Sequence, residues 1–275
     1  MNELSLRVSE VAQIGYCPFA CYLVTCKNYK KPTTTEMLTG TIQHKIMEYQ
    51  NKNWEEYEKS LLSLKTAKRF KKHSINLSLL DKDVRSSLYM FNNDEQEEIK
   101  NNIKSLNMRD AEIEHFSTKF KRGEDIFFRI YLSEAEFTGS VELTFGDEKI
   151  LVHLSGHPDM IFHTMRGMEV WDYKSGHPAR LIDWIHYSEY IQLDGYSYLY
   201  NILNQNDPPI NVGTIVYLQI RGSLYDKRPI ITEPKRFEEP LTQIAGWYLE
   251  TTNPPTPCKS YKCKACSFFK KECQV

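Results

Sequence analysis

The sequence predicts an α/β core with helical additions, and three observations carry that expectation. Between residues 126 and 173, short runs rich in Val, Ile, Phe and Tyr are separated by turn residues, as in a series of strands. A helical segment and a further strand follow them, the order of an α/β unit. Before them lies a long polar, helix-compatible stretch. Apolar residues at 41% and charged residues at 26% are ordinary globular values and exclude a disordered or fibrous chain.

Residues 7–30 read as a short helix around Val8, Val11 and Ile14, followed by the Cys17-Pro18 step. Residues 35–65 read as helix, with Leu38, Ile42, Ile46, Met47 and Tyr49 at spacings of three and four. From 65 to 115 the sequence swings from a basic stretch (Lys65, Lys68, Arg69, Lys71, Lys72) to an acidic one (Asp94, Glu95, Glu97, Glu98), as in a helical insertion. Strands are expected at 126–132, 137–145, 150–154, 160–162 and 168–173, with hairpin turns at Gly146-Asp147 and Arg166-Gly167. A helix over 184–203, a strand over 213–220 and an amphipathic helix over 240–250 complete the core. The expected divisions are an arm at 1–34, a helical region at 35–120, a core at 121–250 and a cysteine-rich tail at 251–275. All four pack as one globular unit.

Charge narrows the function. Lys plus Arg number 35 and Asp plus Glu 36, for a net charge of -1. Bulk basicity therefore gives no argument for nucleic acid, and such a partner must be argued from local charge. Basic stretches at 65–72, 119–122 and 259–271 have Phe70, Phe120, Tyr261, Phe268 and Phe269 among them. Aromatics interleaved with positive charge suit single-stranded nucleic acid, where bases stack and phosphates pair; a solvated lysine-rich face reads the same way. No apolar run approaches the roughly 20 residues of a membrane span, and the start lacks a signal peptide's pattern. The expectation is a cytoplasmic protein with no membrane partner. Clustered cysteines in that reducing setting serve more often as metal ligands than as disulfides.

The chemistry concentrates at Pro158-Asp159 and at Asp172-Tyr173-Lys174. Side chains two apart on a strand share a face, so Asp172 and Lys174 point the same way. A hairpin at Arg166-Gly167 brings Asp159 beside Asp172. Two converging carboxylates suit a hard divalent cation, Mg²⁺ or Mn²⁺. A lysine beside them can orient or help deprotonate an attacking water and stabilise charge on a phosphate. Asp-x-Lys alone is weak, because it also occurs as a solvated strand-edge pair. It gains from the apolar Val170-Trp171 before it and from Gln192 and Tyr196, four apart on one helix face. His153, His157, His163 and His177 flank the motif, and His157 would share a face with Asp159 in an extended chain.

These residues resemble the PD-(D/E)xK nuclease pattern in its RecB-like form, and Gly40-Thr41-Ile42-Gln43-His44 is similar to that family's Gly-x-x-x-His segment. The resemblance implies a restriction-endonuclease-like mixed central sheet flanked by helices. It implies Mg²⁺ or Mn²⁺ held by His44, Asp159, Asp172 and the main-chain carbonyl of Tyr173. Lys174 would be the catalytic lysine, with Gln192 and Tyr196 steadying the site and the DNA.

Seven cysteines are odd in number and uneven in placement, three before residue 27 and four after 257. The tail reads Cys258-x4-Cys263-x2-Cys266-x6-Cys273, a metal signature. Either the four tail cysteines hold zinc, or Cys263, Cys266 and Cys273 join the distant Cys17 around an iron–sulfur cluster. One amino-terminal cysteine before a proline, with three near the carboxyl terminus, resembles the CRISPR-associated exonucleases and the nuclease domain of AddB-type helicase–nucleases. That resemblance implies a structural 4Fe-4S cluster on Cys17, Cys263, Cys266 and Cys273, leaving Cys21, Cys26 and Cys258 unassigned. It also implies a metal-dependent DNA exonuclease for single strands or frayed ends, serving CRISPR spacer acquisition or DNA repair, alone or within an integrase or helicase complex. The competing expectation is a zinc-binding nucleic-acid or partner-binding module on a decayed nuclease fold.

Overall fold

The computed structural model describes residues 2–30, 129–133, 136–164, 167–175, 186–218 and 226–257, together with Cys263, Cys266, Phe268 and Cys273. The expected helical region that carries His44 lies outside the described residues, as do most of the three basic stretches. Eight strands and four α-helices are described, the expected α/β arrangement of mixed sheet flanked by helices, with the strands divided between a three-stranded and a five-stranded ladder.

The smaller ladder has the order β1-β4-β3. Leu4 and Leu6 alternate with Glu3, Ser5 and Arg7, so β1 (Asn2–Arg7) buries one face and exposes the other. The same alternation in β3 (Phe137–Phe145) and β4 (Glu148–Gly156) makes a hairpin closed at Gly146-Asp147. Gly146 takes a φ of 60°, a conformation glycine adopts without a Cβ penalty. β1 lies parallel on the other edge of β4. It was not among the expected elements, since two buried leucines are too few for a periodicity.

The larger ladder has the order β2-β5-β6-β7-β8. β5 (Met160–Thr164) and β6 (Gly167–Ser175) form the expected second hairpin, and β2 (Arg129–Ser133) pairs antiparallel with β5. β6 then pairs in parallel with β7 (Ile210–Leu218). β7 begins three residues before the expected start because Ile210 already pairs with Met168. β8 (Asp226–Ile231), also not expected, contains Pro229; on an edge strand its missing N–H costs no ladder bond.

Helices cover these ladders. α1 (Val8–Ala12) runs through a 3₁₀ turn towards α2 (Pro18–Thr25), with Cys17 as the residue before it. α3 (Tyr187–Leu203) connects β6 to β7, and α4 (Pro234–Tyr248) packs on α3. α4 starts six residues before the expected Pro240, because Pro234 occupies its first turn and Phe237 is already buried. Close approach of these helices needs Gly195 on α3: a Cβ there would stand 2.5 Å from the Phe237 ring and 2.6 Å from Val8. Val8, Ile150, Val152, Ile191, Leu193 and Phe237 join one core between ladders and helices. No helix among the described residues is long and apolar enough to cross a membrane.

Candidate active site

The β5–β6 hairpin sets the two aspartates. Met160 pairs with Trp171, so Asp159, just before β5, and Asp172, just after Trp171, stand at the same end of the hairpin. Both are deeply buried, at 4% and 2% exposure. Asp159 Oδ2 accepts the Tyr173 backbone N–H at 2.6 Å, continuing the ladder where β5 has not yet begun. Tyr173 turns its hydroxyl to the Met160 sulfur at 2.8 Å.

On the adjacent face, α3 supplies a polar spine. Gln192 and Tyr196 lie one turn apart, and Gln192 Nε2 donates to the Tyr196 hydroxyl at 2.8 Å and to Asp172 Oδ1 at 3.0 Å. Gln192 Oε1 accepts from Lys174 Nζ at 2.7 Å, and Lys174 Nζ pairs with Asp172 Oδ2 at 2.5 Å. Asp172, Lys174 and Gln192 thus close a three-membered ring. That ring fixes the amide's orientation, because reversing it would set the amide NH₂ against the ammonium and the amide oxygen against the carboxylate. Gly156 makes room for the Tyr196 ring, whose nearest atom would lie 3.1 Å from a Cβ at that position.

Burial alone would lower the Lys174 pKa. Asp172, through charge and hydrogen bond, and then Glu189 and Asp159 outweigh that, and the net direction is up from 10.5. Lys174 is therefore an ammonium at neutral pH, suited to binding anionic oxygen and orienting water rather than to taking a proton. Glu189 is itself buried; it accepts from the Tyr217 hydroxyl at 2.6 Å and from the His186 N–H at 3.0 Å.

These groups open onto a cleft of about 520 Å³ lined by Asp159, Asp172, Lys174, Gln192 and Tyr196, with Arg7, Ser155, His157 and Glu136 at its margins. Five residues singled out in the sequence thus come together. His157, the tempting neighbour, is exposed and turns to Glu136, with Nε2 3.7 Å from Oε1. Pro158 separates it from Asp159, and the strand-like alternation that would align the two does not extend there. His44 lies outside the described residues. Glu136, Arg7, Ser155 and the Glu189–Tyr217 pair were not anticipated; Arg7 comes from β1, Ser155 from β4, Tyr217 from β7, Glu189 from α3 and Glu136 from just before β3, and they carry no local motif.

Among the described residues no three His, Cys, Asp or Glu side chains form a metal-holding group. The cysteines nevertheless sort by place. Ala20, Leu23, Phe268 and Cys273 make a separate buried apolar cluster with Cys17 and Cys266 packed against it. Cys263 is buried, and its carbonyl accepts the Cys266 N–H at 3.1 Å. Cys21 belongs to the main core, with its thiol directed to the Glu10 carbonyl, and Cys26 packs against that core beside the Ile244 carbonyl. Burial pushes the Cys26 thiol above its ordinary pKa. No disulfide joins the described cysteines, and Cys258 lies outside them.

The sequence profile of the PD-(D/E)XK nuclease superfamily matches residues 5–274 of the chain. No curated protein matches it. Among solved structures the chain is similar to one described as "Crystal structure of SSO0001". The identity there is 18% and the TM-score 0.34, over 57% of this chain and 65% of that one.

Proposed function

The chain belongs to the PD-(D/E)XK nuclease superfamily, and from that membership we propose a divalent-metal-dependent deoxyribonuclease whose site is the cleft of Asp159, Asp172, Lys174, Gln192 and Tyr196. The single observation that carries the proposal is the ring of Asp172, Lys174 and Gln192 beside Asp159 in one open cleft. Members of the superfamily generally use Mg²⁺ or Mn²⁺. The donor set here fits such an ion: Mg²⁺ is commonly anchored by one or two carboxylates, with waters and substrate phosphate among its other ligands. In our reading Asp159 and Asp172 hold the ion, with the Tyr173 carbonyl and His44 as further ligands. When bound it supplies positive charge at the phosphate and acidifies water. Lys174, held as an ammonium, orients the attacking water and neutralises the phosphate's developing charge. Gln192 keeps Lys174 and Asp172 in register, and Tyr196 holds Gln192. Water forms the new phosphorus–oxygen bond, the old ester bond breaks, and the leaving oxygen takes a proton.

The finer reading is an exonuclease on single strands or frayed DNA ends, in CRISPR spacer acquisition or DNA repair, on its own or with an integrase or helicase. It rests on the resemblance of the motifs. A 4Fe-4S cluster on Cys17, Cys263, Cys266 and Cys273 belongs to it, supported by the gathering of both chain ends around one apolar cluster. It is also supported by the engagement of Cys21 and Cys26 elsewhere. Such a clip closes a very long loop and so stabilises the fold through the unfolded state.

Lys174→Ala tests the site: Mn²⁺-dependent cleavage of a labelled DNA strand should fall by about a hundred- to a thousandfold, with binding in Ca²⁺ retained. Cleavage at the wild-type rate would sink the assignment. For the cluster, anaerobically purified protein should show a broad brown absorbance and bound iron that Cys263→Ser loses. Colourless, fully folded protein carrying zinc would overturn it.

A further inference from the structure

Beside the cleft, a second groove of about 540 Å³ runs over the outer face of the β1-β4-β3 ladder, and the two share Arg7 and Ser155. The registers arrange its floor in cross-strand rows. Arg7 pairs with Ser155 and Ser155 with Thr138; Ser5 pairs with His153 and His153 with Ser140. Six side chains in two rows, about 6.6 Å apart along the strands, thus present a guanidinium, an imidazole and four hydroxyls. None of the six is acidic or apolar. All are exposed or half-buried, while Leu4, Leu6, Val152 and Leu154 face the core. A sheet needs only its inner face apolar, so stability alone does not require an outer face made of donors.

The nearest acids are engaged or lie beyond the rows. Glu10 lines the groove, but its Oε2 accepts the Arg7 N–H at 2.8 Å. Glu3 and Glu142 belong to the next row, where Glu142 pairs with Lys149 at 2.6 Å. Glu3 lies 3.8 Å from His153 Nε2, and His153 Nδ1 is 2.9 Å from the Ser140 hydroxyl. The donor-rich rows therefore begin at the cleft, at Arg7 and Ser155, and end at an acidic row one step further.

We propose that this groove binds the phosphodiester backbone of the nucleic-acid strand whose scissile bond occupies the cleft, with Arg7 and Ser155 at the junction and Ser5, His153 and Ser140 holding the next phosphate. The proposal rests on the nuclease reading for the cleft and adds the strand's path beyond it. Contacts of this kind track a backbone without reading bases, so the groove takes single strands irrespective of sequence.

The experiment measures affinity by fluorescence anisotropy in Ca²⁺, so that it does not depend on cleavage. Its probes are a single-stranded DNA of about three nucleotides, filling the cleft, and one of about twelve, reaching along the groove. In the double variant Ser140→Glu/His153→Glu, the longer strand should bind about tenfold more weakly and with a shallower salt dependence, the short one within about twofold of wild type. The opposite variant, Ser140→Lys/His153→Lys, should tighten the longer strand, and it answers the question even if the acidic variant fails to fold. Wild-type affinity for the longer strand in both variants would overturn the groove and leave this face to a protein partner. Normal binding shifts with no Mn²⁺-dependent cleavage by the wild type would instead overturn the nuclease reading and leave the groove standing.

Discussion

Two buried ion pairs on or beside α3 differ in what surrounds them. Asp172–Lys174 and Asp194–Arg236 each close at 2.5 Å, and the two pairs are almost equally withdrawn from water. Around Asp194 every partner belongs to the fold: the Glu233 N–H at 2.8 Å, Arg236 Nε, and Arg236 Nη2 at 3.0 Å. The same guanidinium reaches the Ile231 carbonyl and lies 4.8 Å from the Tyr190 ring, so the pair joins α3 to the start of α4. Asp172 and Lys174 instead share their ring with a side-chain amide and line a cleft. The chemistry is the same in both. A pair enclosed by its own fold holds helices together, whereas a pair lining a cavity is open to a partner from outside the fold.

The comparison can be broken at either pair. Asp194→Ala should have the largest effect on stability, about 3–5 kcal/mol in urea unfolding, because it strands a partly buried guanidinium and the Glu233 N–H just before α4. A loss below about 1 kcal/mol would erase the distinction. Gln192→Ala should lower cleavage about 10–100-fold, roughly 1.4–2.7 kcal/mol in the barrier, while leaving unfolding near wild type. The reverse pattern, stable cleavage and a weakened fold, would make Gln192 a packing residue.

The smallest effect is on pH. The Lys174 pKa is raised on folding, against the pull of burial, by Asp172, Glu189 and Asp159. A raised folded-state value means that the lysine's contribution to stability is whole below its unfolded pKa and is lost as pH rises through the folded one. Metal-free protein should therefore lose stability more steeply above about pH 10.5 than Lys174→Met does. Identical alkaline limbs in thermal melts would mean that the pair adds nothing to the fold.

Much of the candidate site was legible in the sequence because its geometry is local. Asp172 and Lys174 share a face by the period of a strand, Gln192 and Tyr196 by the turn of a helix, and Asp159 arrives through a short hairpin. β3 agrees with the sequence expectation end to end, since its alternation is clean and a Gly-Asp turn ends it. β1 and β8 were not legible. One is too short for a pattern, and the other contains a proline that only its edge position excuses.

The cysteines divide in the same way. Spacing made the tail a candidate metal-binding segment, but nothing local says which of Cys17, Cys21 and Cys26 packs near it. In the fold Cys17 packs against the same apolar cluster as Cys266 and Cys273, while Cys21 and Cys26 pack with the main core. By itself the sequence determined an α/β chain whose Asp172 and Lys174 share a strand face and whose Gln192 and Tyr196 share a helix face, by periods of two and four residues, with Asp159 brought in by a short hairpin. Tertiary structure alone decided that Arg7 and Ser155 join that cleft to a donor-lined groove and that Asp194 serves the fold. Those relations link strands and helices far apart in the chain, and only packing around a shared core brings them together.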